Sequence, residues 1–269
     1  MNAQKLRVVI AGATGWAGSA LSKGVHEADD LQLVAAVSRR AAGGDLTRIL
    51  NLPGGSVPVY ATVEEALSVP CDVLVEYTSP ESAKGHVLAA LQKGVHVVVG
   101  TSGLSDDDYH EIEAVATQQG KAVLAVGNFA LTVVLLQKFA KMAARYIPNA
   151  EIIDYAGAHK VDAPSGTARE LAYNLGQVRP SNLGVPLDKV AGPAGVRGAR
   201  LNETQVHSVR LPGYVISVEA IFGLPDEKLT LRHDAGSSAE PYVAGALLAI
   251  RKVGTFTGLK RGLDTVMEF

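Results

Sequence analysis

A chain of 269 residues is long enough for one large or two modest domains, and its 47% hydrophobic and 19% charged content excludes an intrinsically disordered protein. Lys and Arg total 25 against 27 Asp and Glu, a formal net charge of -2 that excludes a chain-wide basic field for nucleic acid. A single cysteine, Cys71, excludes an internal disulfide framework and fits a reducing compartment.

The first apolar stretch, Leu6 to Ala11, comes too early and is too short for a signal peptide, and a glycine loop follows it. No later run reaches the roughly 20 apolar residues that span a bilayer. The expected setting is the cytoplasm, with neither a membrane nor a nucleic acid as partner.

Leu6–Ala11 reads as a β-strand, and a helical pattern follows from about Gly15 to Val25. Leu31–Val37 is a second buried strand, after which comes a Gly/Ala-containing loop. Asp72–Glu76, Val95–Val99 and Ala122–Val126 are further continuous apolar runs, separated by helical stretches at about Glu81–Gln92 and Asp106–Gln119. Strands apolar on both faces, alternating with helices, indicate a parallel sheet covered on both sides, with ligands at the carboxyl ends of its strands.

After Asn128 the rhythm changes. A helix over about Leu131–Tyr146 precedes a strand at Glu151–Tyr155 and then a loop of Gly, His, Lys, Pro and Ser. Gln205–Leu211, Val215–Phe222 and Lys228–His233 alternate as antiparallel strands do. A helix over about Pro241–Lys252 ends the pattern. The expected class is α/β: an N-terminal Rossmann doubly wound parallel sheet, plus a C-terminal α+β substrate and oligomerisation domain. The expected division is 1–127 for the dinucleotide and 128–240 for substrate and self-association, with 241–269 returning to the first as a C-terminal helix.

Gly12-Ala-Thr-Gly15-Trp16-Ala17-Gly18 lies where the first strand turns into the first helix. Backbone must approach a pyrophosphate closely there, a side chain would block it, and the helix N-terminus offers free N–H groups to the phosphates. The spacing, G-x-x-G-x-x-G, is one residue longer than the usual fingerprint between its first two glycines, and a tight structural turn is the alternative. The second strand ends in Ser38-Arg39-Arg40 in place of the acidic residue that would bind a ribose 2′-hydroxyl. A hydroxyl and two guanidiniums suit a 2′-phosphate, so NADPH is the expected coenzyme with NADH second; a solvated basic turn is the alternative. Thr78-Ser-Pro-Glu81 and Gly100-Thr101-Ser102-Gly103 end two further strands, as coenzyme contacts or as helix N-caps.

His159-Lys160-Val-Asp-Ala-Pro-Ser165-Gly166-Thr167 follows a strand and opens a helix. A lysine beside a Pro-Ser-Gly-Thr helix start offers a point charge, two hydroxyls and unpaired N–H groups, which is a site for a carboxylate; a capped helix with a solvated lysine is the alternative. His26, His86, His96 and His110 lack ligand-like spacing, and no metal is expected. Cys71 begins a buried strand and reads as a small core residue, which sets aside a semialdehyde dehydrogenase with its nucleophilic cysteine.

At these residues the chain resembles the dihydrodipicolinate reductase family, also called 4-hydroxy-tetrahydrodipicolinate reductase. Lys160–Thr167 is similar to that family's substrate signature, and Gly12/Gly15/Gly18, Glu76–Pro80, Gly100–Gly103 and Asn128-Phe129 fall in its order and spacing. The resemblance covers essentially the whole chain. It implies hydride transfer from a pyridine nucleotide to a cyclic imine dicarboxylate in lysine and diaminopimelate biosynthesis, on a homotetramer. It also implies Asn128 and Phe129 as coenzyme contacts, Lys160, Ser165, Gly166 and Thr167 as substrate contacts, and Lys160 and His159 as catalytic groups.

The chain departs from the family at four places. The family's His-His pair, whose first member is the proposed general acid, falls on Ala156-Gly157. Its Asn-Phe-Ser-x-Gly turn is Asn128–Thr132, a Gly-Glu/Asp-His stretch is replaced around Ser217–Glu219, and an arginine after paired serines is Ala239. These departures set two alternatives beside the family reaction: a divergent reductase of another imine or unsaturated acid, and a nucleotide-binding protein that has lost turnover.

Overall fold

The computed structural model describes residues 4–193 and 195–268; the outermost residues of the expected ranges, 1–3 and 269, lie outside the described residues. The chain forms two compact units, 1–131 with 239–269, and 132–238.

The first unit opens with β1 (Leu6–Ala11), α1 (Trp16–Glu27), β2 (Leu31–Val37), α2 (Leu46–Ile49), β3 (Val59–Tyr60) and α3 (Val63–Ala66). It continues through β4 (Val73–Glu76), α4 (Pro80–Gln92), β5 (His96–Val99), α5 (Asp106–Gln118) and β6 (Ala122–Ala125). Every residue of β4 and β6 is buried, as expected of strands covered on both faces. Two four-residue helices and the two-residue β3 occupy what reads in the sequence as a loop. Their brevity leaves no periodicity to detect, although Asp45 caps α2 through Thr47 N–H, and Thr62 and Glu65 form a capping box on α3.

The second unit holds α6 (Leu131–Ala144) from Thr132 on, β7 (Asn149–Ala156), α7 (Gly166–Gly176), β8 (Ala199–Leu201), β9 (Thr204–Arg210), β10 (Ile216–Leu224) and β11 (Glu227–Ala235). Its sheet runs β11-β10-β7-β9-β8. One face packs against α6 and α7 through Leu136, Ala140, Ile152, Leu171, Leu175, Val218 and Phe222. The expectation of antiparallel strands is corrected at one seam. β7 and β9 pair in parallel because α7 carries the chain back across the sheet between them, whereas β10 pairs antiparallel with both β7 and β11.

The chain ends in the first unit with α8 (Glu240–Lys252) and β12 (Gly258–Arg261). The helix expected over about Pro241–Lys252 is α8, and the extension of that helix through the rest of 241–269 is corrected, since β12 follows it. Gly258 and Gly262, both at positive φ (+86° and +96°), redirect the chain, and β12 adds in parallel to β6. The completed sheet is seven-stranded and parallel, in the order β12-β6-β5-β4-β1-β2-β3. From β1 the chain first moves out to β2 and β3 and then returns to β4 on the other side. The switch point therefore lies at the carboxyl ends of β1 and β4, where open α/β sheets bind ligands. Among the described residues, no helix is long and apolar enough to cross a membrane.

Candidate functional site

In the first unit, the three glycines after β1 have three different physical jobs. Gly12 sits at φ +83°, and a Cβ there would lie 2.1 Å from the Tyr77 carbonyl oxygen. Gly18 lets α1 pack on the loop, since its Cβ would lie 2.1 Å from the Gly12 carbonyl oxygen. Gly15 has ordinary extended φ/ψ and is exposed; its Cβ would meet only the Gly12 carbonyl oxygen, at 3.2 Å. As the α1 N-cap it makes no side-chain bond. Folding alone explains Gly12 and Gly18. Gly15 leaves open the cradle that a pyrophosphate needs, so the loop fits a dinucleotide.

Around this loop the first unit gathers the other expected contacts. Thr14 and Ser38 share a hydroxyl hydrogen bond of 2.7 Å, which ties the glycine loop to the end of β2. Arg39 and Arg40 are exposed in the turn that follows. Trp16 is 62% exposed and meets Tyr242 of α8 edge-on, with ring centroids 5.8 Å apart; Ala17 is half-buried beside it. A Cβ on Gly100 would strike the rings of Tyr77 and Phe129 at 2.7 and 2.9 Å, so these three residues form one packed layer beside the loop. Asn128 Oδ1 accepts the Ala130 N–H at 2.9 Å, which turns the chain into α6. Ser102 is exposed.

Sequence reasoning missed two residues here, Glu76 and His86. Glu76 ends β4, is fully buried, and accepts the N–H and O–H of Thr78; His86 Nδ1 lies 3.3 Å from the same oxygen. Their signal was a charged residue closing the otherwise apolar Val73-Leu-Val-Glu76. Cys71, by contrast, is only a packing residue: burial pushes its thiol up to about 11, far from a reactive thiolate.

In the second unit, Ser165 is the N-cap of α7, its hydroxyl accepting the Ala168 N–H at 3.3 Å. Its side chain is buried and donates to Asp154, so its hydroxyl is committed inward. The surface that the helix start offers to a ligand is exposed Gly166, where an added Cβ would lie 3.9 Å from Arg169 Nη2, and half-buried Thr167. Lys160 is half-buried and pairs with Asp162 at 2.7 Å, holding the Asp162 carboxyl below the usual range. His159 is exposed next to it.

Asp154 and Arg210 also escaped the sequence reading. Asp154 is fully buried and takes the Ser165 N–H at 2.9 Å, the Ser165 O–H at 2.6 Å and Arg210 at 2.7 Å. Arg210 also donates to the Asp162 carbonyl at 2.6 Å, joining the lysine loop to the helix start. Period-two alternation along β7 puts Asp154 on the same face as Ala150 and Ile152, which was the available signal. Ala156, also on that face, is fully buried, and a Cβ on Gly157 would lie 3.2 Å from the Tyr214 carbonyl oxygen. Tyr214 stacks on Tyr155 at 5.1 Å, and the Tyr155 O–H donates to Glu219 at 3.0 Å.

Comparison with known proteins matches residues 6–129 to the family described as "Dihydrodipicolinate reductase, N-terminus" and residues 132–267 to "Dihydrodipicolinate reductase, C-terminus". The 4-hydroxy-tetrahydrodipicolinate reductase of Halalkalibacterium halodurans is 38% identical over 264 residues, 98% of this chain and 100% of that protein. The reductase of the same name from Bacillus pumilus is 36% identical over 269 residues, the whole of both chains. A dipicolinate-bound dihydrodipicolinate reductase from Paenisporosarcina sp. TG-14 superposes with a TM-score of 0.89 at 32% identity, covering 98% of this chain and 100% of that one. An amine dehydrogenase from Mycobacterium smegmatis, at 15% identity and a TM-score of 0.68, shares the fold. The chain belongs to the dihydrodipicolinate reductase family of nicotinamide-dependent oxidoreductases.

Proposed function

We propose that this chain is a 4-hydroxy-tetrahydrodipicolinate reductase of lysine and diaminopimelate biosynthesis, reducing a cyclic imine dicarboxylate with hydride from NADPH. The observation that carries this reading is the Lys160–Thr167 loop. It sets an ammonium and the free N-terminal turn of α7 on one short segment, locked from below by Asp154 and Arg210. That chemistry recognises a carboxylate. A relative captured with dipicolinate supports a dicarboxylate.

The first unit takes the dinucleotide and the second the substrate. Gly12, Gly15, Trp16, Ala17 and Gly18 hold the pyrophosphate end, and Ser38, Arg39 and Arg40 a 2′-phosphate, which favours NADPH with NADH as the second donor. Thr78, Gly100, Thr101, Ser102, Asn128 and Phe129 line the nicotinamide end. The bound coenzyme supplies the hydride. Lys160, Ser165, Gly166 and Thr167 orient the substrate, Ser165 by fixing the loop, with Lys160 and His159 on the proton path. The protein works in the cytoplasm as a homotetramer. The β10–β11 end of the second unit's sheet supports self-association, with Leu224 and Leu229 exposed there.

Ala156 and Gly157, where the family's paired imidazoles fall, favour one second reading, a divergent reductase acting on another imine or unsaturated acid. Purified protein given NADPH and biosynthetically generated substrate, followed at the nicotinamide absorbance, decides between them. Substrate-dependent oxidation supports the family reaction. Coenzyme binding without turnover supports the second reading.

A further inference from the structure

Glu76 is a costly residue where it stands. Its carboxylate is fully buried at the carboxyl end of β4, and Oε2 has no hydrogen-bond partner among the described residues. A buried acceptor without a donor is destabilising, so an apolar side chain would serve folding better. Its polar contacts converge on Oε1: the Thr78 N–H at 3.1 Å and the Thr78 O–H donate to it, and His86 Nδ1 lies 3.3 Å away.

This arrangement fixes the polarity of Thr78. Because its hydroxyl proton is directed at Glu76, Oγ1 of exposed Thr78 keeps only lone pairs, one of them facing the Ser82 hydroxyl at 3.0 Å and the other left to present. Thr101, at the end of the adjacent strand β5, is set the opposite way. Its Oγ1 accepts the Thr78 N–H at 3.0 Å, and its own hydroxyl proton remains available to a ligand. Two strand ends thus present an acceptor and a donor side by side. Thr78 also lies against the glycine loop, its methyl 3.5 Å from where a Gly12 Cβ would be.

We propose that Glu76 is a positioning residue that orients Thr78 and Thr101 as an acceptor–donor clamp for the carboxamide of the coenzyme's nicotinamide ring, Thr78 taking its N–H and Thr101 giving to its C=O. A primary carboxamide is the complement of that pair, and a clamp that reads both of its ends also fixes which face of the ring is presented. The inference rests on the coenzyme reading above.

The test compares NADP+ with its 3-acetylpyridine analogue, which keeps the C=O and replaces the NH2 by a methyl, using calorimetric dissociation constants. The unmodified protein should bind NADP+ about three- to ten-fold more tightly, the worth of one net hydrogen bond. Thr78→Val and Glu76→Ala should bring that ratio close to one, and Glu76→Gln, which keeps an acceptor oxygen, should preserve it. Thr101→Val should weaken both ligands equally and leave the ratio unchanged. General damage to the fold weakens both ligands together and does not move the ratio, and Thr78→Val reads the acceptor even where Glu76→Ala fails to fold. A ratio near one in the unmodified protein overturns the clamp, and an unchanged ratio in folded Glu76→Ala overturns the role of Glu76. Binding of neither ligand overturns the coenzyme reading as well, which separates the two failures.

Discussion

Ser165 donates its hydroxyl to Asp154 Oδ1 at 2.6 Å and its N–H to Oδ2 at 2.9 Å, so the residue that caps α7 is locked from beneath by a fully buried carboxylate. The only side-chain cation on that carboxylate among the described residues is Arg210, at 2.7 Å. Removing one partner of a buried pair leaves the other charge uncompensated and costs about 3–5 kcal/mol. Arg210→Met is therefore expected to lower the stability to denaturant by that amount and to weaken dipicolinate binding, because the guanidinium also holds the Asp162 carbonyl. An unchanged denaturation midpoint would show that Asp154 does not depend on Arg210.

The glycine loop separates folding from binding. Gly15→Val is expected to abolish coenzyme binding with far-UV circular dichroism nearly unchanged, because the backbone there is ordinary and the added bulk meets the ligand. Gly18→Ala is expected to lose stability instead, since its Cβ falls 2.1 Å from the Gly12 carbonyl oxygen. Normal NADPH affinity in Gly15→Val would reduce the loop to a turn.

Coenzyme choice is expected to follow the end of β2. Thr14 holds Ser38 in place, and Arg39 and Arg40 are exposed in the turn beside it. The unmodified protein should bind NADPH more tightly than NADH, and the Arg39→Ala, Arg40→Ala double variant should lose that preference. Charge-assisted contacts to a phosphate are worth about 1.5–3 kcal/mol. Equal dissociation constants for the two coenzymes in the unmodified protein would eliminate this account.

Much of this is legible in the sequence. A parallel sheet announces itself through runs such as Val73-Leu-Val and Ala122-Val-Leu-Ala, because strands covered on both faces cannot alternate. What stayed hidden depends on tertiary partners. β12 is four residues of Gly-Leu-Lys-Arg whose strand character comes from pairing with β6, and the parallel seam between β7 and β9 follows from where α7 returns the chain. The sequence singles out Thr78 and Ser165 by position, yet the directions of their hydroxyls are set by Glu76 and Asp154, two and eleven residues away.

Two histidines tie stability to pH. Burial lowers the pKa of both His96 and His233 below the usual value. A base whose folded pKa is depressed binds more protons when unfolded, so stability is full above the unfolded value of about 6.5 and declines as pH falls through the window beneath it. Denaturation midpoints should therefore drop between about pH 7.5 and about pH 5.5, and His96→Asn or His233→Asn should each flatten the slope. Identical slopes in the variants would place the acid sensitivity elsewhere.

The position of the family's histidine pair leads to the last prediction. Ala156 closes β7 between Ile216 of β10 and Arg210 of β9 and is fully buried. An imidazole introduced there enters a close-packed interior, and overpacking costs about 1–3 kcal/mol. Gly157→His is less costly, because only the Tyr214 carbonyl oxygen, 3.2 Å from the new Cβ, has to give. Ala156→His is therefore expected to lower stability without raising turnover of the lysine-pathway substrate. Proton delivery is then expected to fall to exposed His159 or to water. Lys160→Ala should reduce turnover strongly and weaken dipicolinate binding, since it removes the ammonium at the anion loop, whereas His159→Ala should cost less than the about 10²–10⁴-fold that a dedicated general acid supplies. A stable Ala156→His variant with faster turnover would show that the strand end can accept the imidazole after all, and that its loss in this chain had slowed the reaction.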